Sequence, residues 1–260
     1  MQVLHPAIRS REINNGNGLS MHLLEAGFED PDRPLVLLLH GFPELAYSWR
    51  NVMLPLADAG YRVVALDQRG YGRTTGWNDD YSSDLASFAI PNLVRDILGL
   101  VWALGRQNVL AVVGHDFGSP VAAYCALLRP DVFQSVVMMS APFAGPPPAT
   151  EFPVGTVAVC DEQTAQSTPT IHASLAALER PRKHYQWYYS TPEANDDMCH
   201  CSQGVHDFLR AYFHYKSADW AGNRPFHLNA WSAGELAKLP TYYVMDLDLG
   251  MAETVAPYMP

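Results

Sequence analysis

Four mostly apolar runs are the clearest pattern in this chain, at residues 35–39, 61–66, 109–113 and 133–140. The first and third are continuous, whereas the second contains Arg62 and the fourth contains Gln134 and two serines. A short apolar run between turn signals is typical of a strand that is buried on both faces of a parallel sheet. Two weaker candidate strands, at 7–13 and 20–27, are separated by a turn that is rich in Asn and Gly.

Apolar residues at helical spacing follow three of these runs. The predicted helices cover residues 48–59 and 90–104, and a third runs from the Gly-rich turn at 114–118 to a stop at Pro130. Strands that alternate with helices in this way predict a doubly wound α/β sheet, with the functional site at the carboxyl ends of the strands.

The composition of the chain changes at residue 145. A proline cluster opens a segment that is rich in aromatic residues and histidines, with predicted helices at 170–180, 183–190 and 205–215. A lid over a site must present part of its surface to that site, although an aromatic stripe usually belongs to a core. We expect three parts: a core at 1–144, a helical lid at 145–250, and a tail at 251–260 where the core would resume.

The turn at residues 114–118, Gly-His-Asp-Phe-Gly, joins a predicted strand to a predicted helix. Small residues on either side of a central reactive residue define a nucleophile elbow, where the turn is too sharp for neighbouring side chains. Asp116 occupies the central position. A carboxylate is already ionised at neutral pH, and it would attack an electrophilic sp3 carbon to form an ester. The alternative is that Asp116 is a buried N-cap in an ordinary strand-to-helix turn.

A second motif, His-Gly-Phe-Pro, follows the predicted strand at 35–39. In folds with a nucleophile elbow, this loop supplies one N–H of the oxyanion hole, and the residue after the nucleophile supplies the other. The motif therefore nominates the backbone amides of Phe42 and Phe117. The alternative is a simple strand-to-helix turn.

Composition narrows the class of protein. The chain has 260 residues, is 48% hydrophobic, and carries a net charge of −10, which argues against nucleic acid and anionic membrane surfaces as partners. Because no apolar run is long enough to span a bilayer, we expect a soluble, cytoplasmic protein. Cys199, His200 and Cys201 suggest a metal site, but they lack the paired spacing of structural zinc sites, so we favour a lid loop with thiols. We expect no metal.

Together, the motifs HGFP, DQRGYG and GHDFG and the aromatic lid resemble the epoxide hydrolase branch of the α/β-hydrolase family. The resemblance is close over residues 34–144 and looser over the lid. It implies an α/β-hydrolase fold, a small hydrophobic epoxide as substrate, and no cofactor. The elbow is also shared with haloalkane dehalogenases, which commonly carry Trp directly after the nucleophile as a halide ligand; Phe117 stands there in this chain.

The resemblance also implies roles for individual residues. Tyr185, in the segment His-Tyr-Gln-Trp-Tyr-Tyr, matches the lid tyrosine that protonates the epoxide oxygen as the ring opens. The alternative is that these tyrosines only pack on a lid helix. His40, Pro43 and His115 flank the site, and their places in the motifs predict that they brace its loops.

One part of the family pattern is not matched. The family places an acid and then a histidine after the lid, and that histidine activates the water that cleaves the ester. The last histidine here is His227, inside the predicted lid. Residues 239–248 form either a strand that presents Asp246 or Asp248 as the acid, or the final segment of the lid, which we favour.

We therefore expect that the C-terminal strands of the core are missing and that the chain reacts with an epoxide once at most. The strand at 133–140 would then be a bare apolar edge, through which two chains would associate. A third hypothesis is a hydrolase-fold protein that binds a hydrophobic ligand or a partner chain without catalysis.

Overall fold

A six-stranded sheet organises the first part of the chain in the computed structural model, which describes residues 4–141, 143, 145, 146 and 170–260. The strand order is β1-β2-β4-β3-β5-β6. The strands are β1 (Arg9–Asn14), β2 (Ser20–Ala26), β3 (Leu35–Leu39), β4 (Arg62–Leu66), β5 (Ala111–His115) and β6 (Val136–Met139). Strands β3 to β6 pair in parallel, whereas β2 pairs antiparallel to both β1 and β4. The predicted mostly parallel sheet is confirmed.

Three helices cover the two faces of this sheet: α1 (Arg50–Asp58), α2 (Ile90–Ala103) and α3 (Gly118–Leu128). Successive side chains of a strand point to opposite faces, so β3 contributes to two separate cores. Leu37 and Leu39 pack with α2 and α3, whereas Leu38 packs with Met53 and its neighbours on α1. All five residues of β3 are buried, as the continuous apolar run predicts for a strand covered on both faces.

The register brings the loops of the predicted site to one edge of the sheet. Leu39, at the end of β3, pairs with Leu66 at the end of β4 and with Gly114 in β5. The segments that follow these strands are the HGFP, DQRGYG and GHDFG motifs. Because the carboxyl ends of parallel strands share an edge, the three motifs lie next to one another.

Strand β6 is shorter than predicted, and its exposure is what a bare apolar edge would show. The apolar run at 133–140 predicts a buried strand, but the strand covers only Val136–Met139, and its residues are 36% to 48% exposed. Phe133 is buried and forms an isolated bridge with Val109. Within the described part of the chain, β6 pairs with β5 alone. An apolar sequence therefore lies at an open sheet edge.

The contacts of the chain divide it into two compact units, Met1–Pro153 and Val154–Pro260. The second unit contains a two-stranded antiparallel sheet and six helices among its described residues. Its elements are α4 (Ile171–Ala176), β7 (Arg182–His184), α5 (Tyr185–Tyr189), α6 (Glu193–Cys199), α7 (Gly204–Lys216), α8 (Ala233–Leu236), β8 (Val244–Asp246) and α9 (Met251–Val255).

The core of the second unit is unusually aromatic. Tyr188, Phe208, Tyr212, Tyr215 and Tyr242 are all buried in one cluster. Burial raises the pKa of Tyr188 and of Tyr242 to about 12, because a phenolate loses more by leaving water than a phenol does. Many aromatic residues of the predicted lid therefore build a core, which is the usual role of an aromatic stripe.

Two predictions for this unit need comment. The predicted helix at 183–190 begins only at Tyr185, because residues 182–184 pair with β8. The stretch 239–248 contains β8 and lies in the second unit, where the Asp246 carboxylate accepts hydrogen bonds from Arg180 and Arg182 at 2.6 and 2.8 Å. The hydrogen bonds from Arg180 and Arg182 hold the pKa of Asp246 below its usual value.

The predicted domain boundaries stay predictions. Residues 147–169, near the start of the predicted lid, lie outside the described residues, and Cys160 is one of them. The predicted tail, 251–260, contains helix α9 and a following 3₁₀ turn, and Met251 and Val255 pack in the aromatic cluster of the second unit.

Candidate active site

Asp116 lies in the sharp turn between β5 and α3. Its backbone has φ +50°, a left-handed conformation that non-glycine residues adopt at a free-energy cost and mostly at functional turns. Its side chain is half-buried and stands at the N-terminal end of α3, where free N–H groups and the helix dipole favour negative charge. This is the geometry of a nucleophile elbow.

Three glycines make this turn sterically feasible. A Cβ atom on Gly41 would overlap the side chain of Asp116, and one on Gly118 would overlap the carbonyl oxygens of Leu39 and His40. A Cβ atom on Gly114 would overlap the backbone of Gly118 and Ser119. The glycines of the two motifs are therefore required by close approach of the backbone, as the elbow pattern predicts.

Phe42 holds the carboxylate of Asp116. Its backbone N–H donates a hydrogen bond of 3.0 Å to Oδ1 of Asp116, which fixes one carboxylate oxygen relative to the HGFP loop. The peptide bond between Phe42 and Pro43 is cis. Phe117, the other residue predicted to supply an oxyanion-hole amide, directly follows Asp116, and its side chain is exposed. The oxyanion-hole roles of Phe42 and Phe117 and the bracing role of Pro43 remain predictions.

His40 is buried and has both ring nitrogens engaged. The backbone N–H of Gln68 can only donate, so Nε2 of His40 accepts that bond at 3.1 Å. Nδ1 then carries the proton and donates to the carbonyl oxygen of Gly41 at 2.8 Å. Burial lowers the pKa of His40, which favours this neutral form. The ring thus connects the HGFP loop to the loop after β4.

His115 and Glu44 form a second connection next to Asp116. Nδ1 of His115 lies 2.7 Å from Oε2 of Glu44, and both side chains are partly exposed. The same carboxylate oxygen accepts a bond of 3.3 Å from the N–H of Gly41. Sequence analysis predicts a bracing role for His115, and Glu44 is the partner that it did not identify.

Two polar contacts with distant residues brace the loop after β4. The carboxylate of Asp67 lies 2.8 Å from Nδ1 of His22, and Arg69 forms an ion pair of 2.7 Å with buried Asp96. Both partners are far away in the sequence, so local pattern could not identify them.

An aromatic cavity of about 390 Å³ lies in the first unit, and Phe42 and Phe117, the neighbours of the Asp116 carboxylate, form part of its wall. Its lining includes Phe42, Phe117, Tyr71, Trp77, Phe88 and Leu93. Burial raises the pKa of Tyr71 to about 12, and the charge of Asp116 adds to this effect. Tyr71 stands in the DQRGYG motif, yet sequence analysis assigned no role to it; its place after a central strand was the available signal.

Tyr185, the predicted general acid, begins helix α5 in the second unit. Its backbone N–H donates to the carbonyl oxygen of Tyr243 at 2.8 Å, and its half-buried ring packs edge-on against Tyr189 and Tyr243. It therefore belongs in part to the aromatic packing of that unit. Its pairing with Asp116 stays a prediction.

The cysteine segment that suggested a metal site has a different environment. Cys199 is exposed, whereas Cys201 packs at the edge of the aromatic cluster of the second unit. Among the described residues, no three His, Cys, Asp or Glu side chains converge in a way that could hold a metal ion. Over the same residues, no helix has both the length and the apolar character that crossing a bilayer requires.

Comparison with known proteins supports this description of the fold. Residues 34–234 match the sequence pattern of the alpha/beta hydrolase fold family. The chain belongs to this family, in the branch that contains the epoxide hydrolases. Epoxide hydrolase B of Mycobacterium tuberculosis is 46% identical over 133 residues, which is 51% of this chain and 36% of that protein.

Solved structures extend the likeness to nearly the whole chain. An epoxide hydrolase from an endophytic Streptomyces superposes with a TM-score of 0.66 at 28% identity, covering 98% of this chain and 63% of that one. A mutant of epoxide hydrolase from Solanum tuberosum gives a TM-score of 0.60 at 30% identity, with coverages of 96% and 72%. The matched part spans 36% to 42% of the length of the curated relatives.

Proposed function

We propose that the chain carries the alkylation site of an epoxide hydrolase and acts on small hydrophobic epoxides. The carboxylate of Asp116 attacks a ring carbon, the C–O bond of the epoxide breaks, and an ester forms between the opened substrate and the enzyme. Membership of the branch that contains the epoxide hydrolases supports the substrate class.

One observation carries the proposal: the carboxylate of Asp116 is held in a left-handed turn by the N–H of Phe42. This bond engages Oδ1, and the proposal assigns the attack to Oδ2. The aromatic cavity beside Phe42 and Phe117 supports a hydrophobic substituent on the epoxide. The two backbone amides would position the carboxylate in the reacting geometry.

Tyr185 supplies the proton in this proposal. As the ring opens, the epoxide oxygen becomes an alkoxide, and the phenol of Tyr185 transfers its proton to that oxygen. A phenol suits the task because it stays protonated at neutral pH and donates a hydrogen bond. The assignment is supported by the segment His-Tyr-Gln-Trp-Tyr-Tyr, in which Tyr185 matches the position of the family's lid tyrosine.

We further propose that the ester accumulates. Its hydrolysis needs a histidine base, and His40 has both ring nitrogens in hydrogen bonds while Nδ1 of His115 is paired with Glu44. In this proposal both residues brace loops, as their positions in the motifs predict, and Pro43 shapes the HGFP loop with them. The chain then reacts once per molecule.

Incubation with styrene oxide followed by intact-mass measurement tests this function. We expect a single adduct with the mass of one epoxide, mapped to Asp116 by peptide analysis, and at most one equivalent of diol. Asp116→Asn should give no adduct, whereas Asp80→Asn, in an exposed loop, should react normally. No adduct on Asp116 would refute the nucleophile assignment, and sustained diol production would refute the single reaction.

A parallel incubation with a haloalkane, together with the epoxide experiment, separates the alternatives. A haloalkane dehalogenase-like hydrolase would release halide from a haloalkane; Phe117 in place of the family's usual Trp argues against it. A non-catalytic protein that binds a hydrophobic ligand or a partner chain would retain the epoxide without covalent change.

Self-association and location are two further properties of the chain. Two copies associate through the edge strand predicted at 133–140, and the exposed apolar residues of β6 support this. A cytoplasmic location stays a prediction from the sequence.

A further inference from the structure

A second constellation of catalytic residue types includes the first residue of the loop after β4. Oγ of Ser10 is 2.8 Å from Nε2 of His22, and Nδ1 of His22 is 2.8 Å from Oδ2 of Asp67. Ser10 is exposed on β1, whereas His22 and Asp67 are buried, with 7% and 2% of their surface exposed. The residues come from β1, β2 and the loop after β4, so sequence spacing could not reveal them.

The hydrogen bonds fix the direction of proton transfer. Burial alone would raise the pKa of Asp67, but hydrogen bonds, first among them that from His22, lower it, so the group is a carboxylate that can only accept. Nδ1 of His22 must therefore carry the proton that faces Asp67. When the imidazole is neutral, Nε2 carries a lone pair and can accept the hydroxyl proton of Ser10 at 2.8 Å. This is the order of donors and acceptors in a Ser-His-Asp triad.

Asp67 is rigidly held, as the orienting acid of a triad must be. Besides His22, the backbone N–H groups of Ala46 and Arg73 donate to its carboxylate at 2.9 and 3.0 Å. Gly72 has φ +55°, and a Cβ atom there would overlap the carboxylate. The backbone thus closes around Asp67 and leaves the imidazole of His22 one orientation.

A cavity adjoins the three residues. It has a volume of about 230 Å³, and its lining includes Ser10, His22 and Asp67. Apolar side chains form much of the rest: Leu4, Leu24, Leu45 and Tyr47. Arg73 also lines the cavity and contributes a cationic side chain to its wall. A small apolar group joined to an oxyanion matches these walls.

We propose that Ser10, His22 and Asp67 form a serine nucleophile site, separate from Asp116, that accepts short acyl groups from activated esters. Oγ of Ser10 attacks the ester carbonyl carbon, and His22 takes the hydroxyl proton. The C–O bond to the alcohol breaks, and His22 returns the proton to the departing alkoxide. Water then attacks the acyl-serine, its proton passes through His22 to Oγ, and one acid and one alcohol have formed from one ester and one water.

An alkyl fluorophosphonate is the first probe for this site. Attack by Oγ forms a P–O bond, breaks the P–F bond, and releases fluoride and the hydroxyl proton. We expect one adduct that maps to Ser10, disappears in Ser10→Ala, and persists in Asp116→Asn. Ser20→Ala is the matched control, because Ser20 lies on the adjacent strand and its hydroxyl bonds to Glu12 instead of a histidine. No adduct at Ser10 overturns the proposal.

A second variant tests whether His22 activates the residue at position 10 while His22 and Asp67 are both retained. In Ser10→Cys the thiol lies beside the imidazole and should be alkylated by iodoacetamide about tenfold faster than the thiol of Ser20→Cys. The rates are read by peptide mass analysis at positions 10 and 20, so other cysteines do not interfere. Equal rates at the two positions would mean that His22 does not activate its neighbour, and the proposal would fail.

Discussion

At the scale of single residues, the site depends on glycines that leave space as much as on the side chains that are present. Asp116 tolerates its left-handed backbone because Gly41, Gly114 and Gly118 leave room around it. The sequence predicted this role for the glycines beside the nucleophile. It could not predict that the N–H of Phe42 bonds to the carboxylate, because that distance depends on the relative position of two loops 74 residues apart.

Removing the phenolic hydroxyl of Tyr185 should slow ester formation and leave the fold intact. In Tyr185→Phe we expect the rate of adduct formation with styrene oxide to fall by about 10² to 10³, because a positioned general acid contributes on this scale. Quenched-flow mass spectrometry measures the rate. Tyr188→Phe, on the same helix with its hydroxyl bonded to Asp197, is the control and should react at the original rate. Equal rates in both variants would remove Tyr185 from the mechanism.

Glu25 gives the first unit a defined response to acid. It is fully buried in β2, and although burial alone would raise its pKa, hydrogen bonds from Arg11, Arg62 and Arg9 lower it from 4.5 to about 2. A lowered folded-state pKa contributes stability above pH 4.5, and this contribution is lost as the pH falls towards 2. We expect the loss to be about 3 kcal/mol.

Urea unfolding between pH 7 and pH 2 measures this effect. Glu25→Gln should lower the free energy of unfolding at pH 7 by about 3–5 kcal/mol, because three arginines lose their buried partner. The variant should also lose much of the pH dependence below 4.5. Glu12→Gln, at an exposed position of β1, should behave as the unchanged chain does. If the two variants have the same pH profile, the Glu25 pairing does not govern acid stability.

At the scale of elements, strands were easier to predict from the sequence than their surroundings. The runs at 35–39 and 61–66 gave β3 and β4 to within one residue, because central strands are apolar on both faces. The run at 133–140 also predicted a buried strand, yet the residues of β6 are exposed. An apolar sequence indicates that a strand is suited to burial, but it does not show whether a covering element is present. Residues 183 and 184 were predicted to be helical because their partner strand, β8, lies about sixty residues further along the chain and local pattern could not indicate the pairing.

The open edge of β6 predicts concentration-dependent association. Sedimentation velocity should show a growing dimer fraction with concentration, and Val137→Lys should reduce it, because a charge on an edge strand opposes pairing with another edge. Leu127→Lys is the control, as Leu127 is equally exposed but lies on helix α3. A monomer at all concentrations, or a dimer that Val137→Lys leaves unchanged, would contradict association through β6.

At the scale of the whole molecule, the proposed chemistry draws on both units, whereas each unit has its own core. The first unit holds Asp116 beside an aromatic cavity, and the second holds Tyr185 on α5. The chain carries 27 acidic and 17 basic residues, and the resulting net charge of −10 disfavours polyanionic partners.

Three tyrosines with raised pKa values set an upper limit to the pH at which the chain stays folded. Tyr71, Tyr188 and Tyr242 hold their protons to about pH 12, whereas an unfolded chain releases them near pH 10. Their contribution to stability is therefore complete below pH 10 and disappears as the pH rises towards 12. In a spectrophotometric titration, a late rise of phenolate absorption should coincide with the collapse of the far-ultraviolet dichroism signal, so that base unfolds this protein by ionising its own aromatic interior.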